Sequence, residues 1–162
     1  MKNRILAFLL TLFLFPTLSF AASYTVKGVL DGDTVQVRSS DGQEIRVRFY
    51  GLDCLETSHR GKPGQAYGNI AKRRVNELIR NQQVELETYG KGPYGRTIAV
   101  VWSGGVNINE TLMKESLAWT YKRYCKESFC NQWLDLESRA RQNGLGLFAD
   151  QNPTPPWTFR HK

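Results

Sequence analysis

The sequence predicts an α+β fold, a five-stranded OB-type β-barrel with three helices, on three observations. Five short β-rich runs alternate with turn signals, one helical repeat follows the third run, and two more helical repeats come after the fifth. Tyr24–Leu30 and Thr34–Arg38 are the first two runs, split by the turn Asp31-Gly32-Asp33. After Ser39-Ser40-Asp41-Gly42, Glu44–Tyr50 alternates polar and apolar residues, as a half-buried strand does. These three runs read as a meander.

His59–Gly64, rich in Gly, Pro and charge, is a loop. Beyond it Ala71, Val75, Leu78 and Ile79 recur at helical spacing. Val84–Glu87 and Thr97–Trp102 are the fourth and fifth strands, divided by Gly90-Lys91-Gly92-Pro93. Ile108 and Leu112 open a second helix behind Asn107 as N-cap. Trp133, Leu136 and Ala140 mark a third, ending near Asn143-Gly144. Asn152–Trp157 is Pro-rich and expected to be extended.

The length of 162 residues suits one domain, and 41% hydrophobic with 23% charged residues excludes a disordered or fibrous chain. Lys2 and Arg4 precede an apolar run from Ile5 to Phe20, with small residues at the −3 and −1 positions of a cleavage site after Ala21. That run is too short for a membrane span. The expected organisation is therefore a signal peptide over 1–21, a domain over 22–150 and a Pro-rich tail over 151–162. The mature protein is expected to be exported, periplasmic or secreted, with no stable membrane association. Losing two cations with the signal lowers the net charge of +7 but leaves the chain basic. A basic surplus suits a polyanionic partner, and equally a solubilising surface.

An exported chain meets oxidising conditions, which favours pairing among Cys54, Cys125 and Cys130. Cys125 and Cys130 are the expected disulfide. Five residues apart in a regular helix they could not bond, so the segment between them must be a loop or a broken helix start. Cys54 is left as a free thiol, read as a small buried hydrophobe.

Chemistry concentrates in Asp31-Gly32-Asp33-Thr34, in Arg48 with Asp53 and Glu56, and in Tyr94-Gly95-Arg96. Each group alone is bland. Together they supply what phosphodiester hydrolysis requires: hard oxygens for a divalent cation, a carboxylate base, and two guanidinium groups for phosphate. In this order, and continued by Val106-Asn107-x4-Leu112, Leu117-Ala118 and Gly144-Leu145-Gly146-Leu147-Phe148, the motifs resemble the thermonuclease (staphylococcal-nuclease-like) family over nearly the whole mature chain.

That resemblance implies an OB-type fold and a Ca²⁺-dependent nuclease of low sequence specificity. It implies one Ca²⁺ per chain, DNA and RNA as substrates, cleavage between phosphorus and the 5′-oxygen, and a monomer. Asp33, Asp53 and the backbone carbonyl of Cys54 match the metal ligands, and Asp31 a nearby acid acting through water. Glu56 matches the general base, Arg48 and Arg96 the pair that grips the reacting phosphate. Tyr94 and Tyr124 align with aromatic substrate contacts. Leu55 stands where the family commonly has proline, restoring an N–H and backbone freedom before Glu56. The alternative function is an OB-type nucleic-acid-binding module that has lost catalysis. The Lys72-Arg73-Arg74 run reads as a solvated helix face, and Trp157, Phe159 and Arg160 as residues that dock the tail on the domain rather than bind substrate.

Overall fold

Alternating β-branched residues build the barrel, because such side chains pack well on a pleated surface with one buried face. The computed structural model describes residues 22–59, 61 and 63–161; the expected signal peptide lies outside the described residues. Strands β1 (Ser23–Asp31), β2 (Thr34–Arg38) and β3 (Glu44–Phe49) form the meander. β1 then pairs with β5 (Gln83–Lys91), which pairs with β6 (Thr97–Ser103). Parallel pairing of β3 with β6, Val47 opposite Thr97 and Phe49 opposite Ala99, closes the five strands into a barrel. The predicted fold class and all five barrel strands are present.

Three short strands were not foreseen. β4 (Leu52–Cys54) pairs antiparallel with β8 (Ala118–Thr120), outside the barrel. β7 (Val106–Asn107) extends β6 by a hairpin.

Helix α1 (Gly68–Ile79) buries Ala71, Val75 and Ile79 of the stripe predicted from spacing, with Leu78 partly buried against the core. Helix α2 (Ile108–Lys114) starts at Asn107, whose side chain accepts from the Glu110 N–H at 2.9 Å. Satisfying that free helix-end donor stabilises the start by about 1 kcal/mol. Helix α3 (Phe129–Gln142) buries Trp133 and Ala140. Among the described residues no helix is long and apolar enough to cross a membrane.

The main core combines Val26, Val35, Val37, Val47, Phe49 and Val101 of the barrel with Ile79, Leu112 and Trp133 of the helices. Each such side chain contributes about 1.5–3 kcal/mol on burial. A second, smaller cluster joins Leu55, Trp119, Ala140, Leu147 and Phe148, with Trp157 packed on it.

Cys125 and Cys130 are disulfide-bonded with Cys54 free and buried, as expected. The bridge spans the loop that leads into the first turn of α3. One expectation fails. The Pro-rich tail is not extended throughout, because Pro156–Phe159 forms a short helix, α4. Pro156 at the first helical position carries the φ a helix needs and lacks only an N–H that would have no partner there.

Candidate active site

The β1–β2 hairpin pairs Asp31 with Thr34, leaving Gly32 and Asp33 at its tip. Across the next ladder Thr34 faces Arg48, which sets that side chain beside Asp33. The Asp33 carbonyl accepts from the Phe49 N–H at 2.8 Å, fixing the tip against β3. The chain then turns at Gly51, and β4 carries Asp53 to the other side of Arg48.

One guanidinium therefore bridges two buried carboxylates. Arg48 Nη1 pairs with Asp33 Oδ1, and Nη2 lies 2.5 Å from Asp53 Oδ1. Asp33 is 2% and Asp53 0% exposed. The Thr34 hydroxyl donates to Asp33 Oδ1 at 3.2 Å, and the Cys54 N–H to Oδ2 at 2.7 Å. Asp31 Oδ1 accepts from the Asp33 N–H at 3.2 Å. Burial raises the Asp31 carboxyl above its ordinary pKa, opposed by the charge of Arg48, the Thr34 hydrogen bond and the charges of Arg96 and Lys72. The Cys54 thiol donates to the Gly32 carbonyl at 3.2 Å, and burial pushes its pKa up, so it stays protonated.

Glu56 lies just beyond β4. Its N–H donates to Gln65 Oε1 at 3.1 Å, and its carbonyl accepts from the Gln65 N–H at 2.9 Å. Gly64 and Gly68 crowd the same carbonyl; a Cβ there would stand 2.6 and 2.2 Å from it. Only glycine allows that approach.

Arg96 enters β6 behind a tight 3₁₀ turn, Pro93–Gly95, and its Nε donates to the Pro93 carbonyl at 3.2 Å. Among the described residues no carboxylate pairs with it. Burial and the nearby charge of Arg48 lower its pKa, with Asp31 opposing. Tyr94, 95% exposed, sets its ring 6.0 Å from the Arg96 Cζ. Tyr124 is exposed and packs edge-on to Tyr121 at 4.8 Å. Tyr121 in turn stacks on Trp157 at 5.0 Å.

Thus Asp31, Asp33, Arg48, Asp53, Cys54 and Glu56 converge, with Arg96 near enough to respond to their charges. Sequence reasoning expected Arg160 to dock the tail on the domain but did not place it in the site. Arg160 reaches the cluster from the end of α4, on Asp53 and Glu56. Nothing in the pattern around it marks it; the signal lay in the docking aromatic Trp157, three residues earlier.

Chemically, one end of the barrel offers hard oxygens, guanidinium donors and a partly exposed carboxylate at Glu56. Among the described residues no three His, Cys, Asp or Glu side chains converge as a complete metal cage. Two carboxylates and a carbonyl would leave further coordination to water and phosphate.

The comparisons with known proteins agree with this geometry. Residues 46–150 match the family model described as staphylococcal nuclease homologue. The chain is 36% identical to a micrococcal nuclease of Shigella flexneri, over 82% of this chain and 76% of that protein. It is 34% identical to an uncharacterized endonuclease of Haemophilus influenzae, over 83% and 70% respectively. A thermonuclease of Staphylococcus intermedius is 46% identical over 59% of this chain and 58% of its own length. The matched span runs from β3 through α3 and takes in Arg48, Asp53, Glu56 and Arg96 together. The match thus takes in most of the site, and the chain belongs to the staphylococcal nuclease homologue family.

Proposed function

We propose that the protein is an exported, monomeric, Ca²⁺-dependent nuclease that hydrolyses phosphodiester bonds of DNA and RNA with low sequence specificity. The observation that carries this reading is the pair of buried carboxylates, Asp33 and Asp53, bracketing one positive charge beside Glu56. A binding module has no use for a base beside such a pair. Family membership supports the hydrolytic reading, and the Cys125–Cys130 bridge suits an oxidising compartment.

The donor set fits calcium. Asp33 and Asp53 offer hard oxygens that already accommodate the Arg48 guanidinium, and the family resemblance adds the backbone carbonyl of Cys54. Bound there, Ca²⁺ would polarise the phosphoryl oxygens and offset the charge gained in the transition state. The chain's own residues do the rest. Arg48 and Arg96 hold the phosphate oxygens, and their donors suit the extra negative charge that develops there. Glu56 takes a proton from the attacking water. The new phosphorus–oxygen bond forms as the bond to the 5′-oxygen breaks, and the departing oxygen takes a proton from solvent water, leaving a 3′-phosphate and a 5′-hydroxyl. Tyr94 and Tyr124 offer exposed rings on which bases stack.

Digestion of linear DNA and RNA with Ca²⁺, and again with a chelator, tests the proposal. Cleavage giving 3′-phosphate ends is expected with calcium and should stop on chelation. Undiminished digestion in the chelator would exclude the calcium assignment. Binding without cutting would exclude hydrolysis and leave the OB-type binding module.

A further inference from the structure

Arg160 makes three hydrogen bonds to two carboxylates more than a hundred residues away. Its Nη1 donates to Glu56 Oε1 at 2.6 Å and to Asp53 Oδ1 at 3.2 Å, and its Nη2 to Asp53 Oδ2 at 2.7 Å. A planar guanidinium held this way sets the separation of the two acids.

The arm that delivers it is anchored independently of those bonds. Pro156 is buried, and Trp157 stacks on Tyr121 and meets the edge of Trp119 at 5.6 Å. Gln65 links the arm to the Glu56 loop. Its Nε2 donates to the Thr154 carbonyl at 2.7 Å while its Oε1 accepts from the Glu56 N–H. Leu55 leaves the φ preceding Glu56 unrestrained by a ring, yet its side chain is buried in the cluster that Trp157 packs on. The loop is thus held from outside, by the arm.

We infer that the Thr154–His161 arm is part of the active site and that Arg160 is a positioning residue, fixing the Glu56 carboxylate relative to Asp53. The inference rests on the proposed hydrolytic role of Glu56. The Arg160 contact uses Oε1 of Glu56 and leaves Oε2 to meet water. Its bonds to Asp53 also supply countercharge to a fully buried carboxylate, in company with Arg48.

Arg160 sits at the rim, its side chain 37% exposed, so substituting it leaves the barrel core untouched. Steady-state cleavage by Arg160→Ala and Arg160→Lys should separate positioning from other roles. Arg160→Ala is expected to lower kcat by at least about 10-fold while KM stays within about 2-fold. Arg160→Lys should recover part of the loss, since it retains a charged donor. Unchanged or raised kcat in Arg160→Ala would overturn the inference, the latter because it would make the arm a plug. A raised KM with kcat intact would also overturn it, making Arg160 a substrate contact.

Hydrogen exchange on the metal-free protein gives a readout that does not depend on activity. Amides of residues 55–59 and 64–68 should exchange at least about 5-fold faster in Arg160→Ala, with the barrel strands unchanged. Equal exchange would overturn the inference even if kcat fell. If the wild-type protein cut neither DNA nor RNA, the nuclease reading would fall, while exchange would still decide whether Arg160 holds the loop.

Discussion

Asn109 donates through its side-chain amide to the main-chain oxygen of Tyr50 at 3.1 Å, tying α2 to the end of β3 just before the turn into Asp53. Its Oδ1 accepts from the Val101 N–H at 3.0 Å, and the amide also reaches the Ala99 carbonyl at 3.4 Å. Asn109 is fully buried, so no water can replace these bonds. Replacing it with Ala should cost about 2–3 kcal/mol, because buried main-chain groups are left unpaired. Urea unfolding should show a lower midpoint with an unchanged slope; an unshifted midpoint would refute the structural role.

The two arginines proposed to grip phosphate should differ in what they do for stability. Arg48 pairs with two buried carboxylates, whereas Arg96 pairs with none among the described residues. Arg48→Ala should therefore lower stability by about 3 kcal/mol, and Arg96→Ala by less than about 0.5 kcal/mol. Both Lys substitutions should reduce kcat by at least about 10²-fold, since one ammonium cannot reproduce a guanidinium fork. Near-normal turnover in both would remove the arginines from the site.

Gly68→Ala tests the packing around the proposed base. The added Cβ would stand 2.2 Å from the Glu56 carbonyl, so loop or helix must move. Stability should fall by about 1–3 kcal/mol and kcat by at least about 10-fold, through displacement of Glu56. An active, undestabilised variant would show that the loop has slack.

The basic run on α1 divides in two. Arg74 is occupied by Glu115, with two hydrogen bonds of 2.7 Å. Arg73 approaches Glu77 only at 3.9 Å, and with Lys72 it lines a groove that Lys27 and Arg80 also border. Neutralising Lys72 and Arg73 should weaken nucleic-acid binding at low salt and reduce the log–log salt slope by about two, leaving kcat nearly intact. An unchanged slope would return both residues to the role of solvated helix charges.

Cys54 should be inert in the folded protein. Burial raises its thiol pKa, which removes the reactive thiolate. Alkylation by iodoacetamide at pH 8 should be negligible in the native state and complete in urea. Prompt native-state labelling would contradict the burial.

The barrel was legible because its strands announce themselves at several levels at once. In Glu44–Phe49 alternation, β-branching and bounding turns all agree. The Asp31, Asp33, Arg48, Asp53, Glu56 and Arg96 set was legible as spaced motifs. Leu52–Cys54 and Ala118–Thr120 were not, because three residues cannot display a period; their pairing is dictated by tertiary contacts. Asn109 reads as an ordinary polar position in a helix until the barrel closes over it. Arg160 lies in a Pro-rich stretch where no periodicity exists, and its position depends on Trp157 finding Tyr121.

The parallel closure of β3 on β6 has a kinetic consequence. Arg48 stands in register with Ile98, and Arg96 immediately precedes β6, so the two arginines proposed to grip phosphate become neighbours only when that ladder forms. Joining strands so distant in sequence carries a large loop-closure entropy, as the β1–β5 ladder also does, so both long-range ladders should come late in folding. Helices and the β1–β3 meander can assemble earlier without creating a place for phosphate. During refolding, ligand affinity should therefore return with the slowest barrel-forming phase rather than with the early recovery of helical signal.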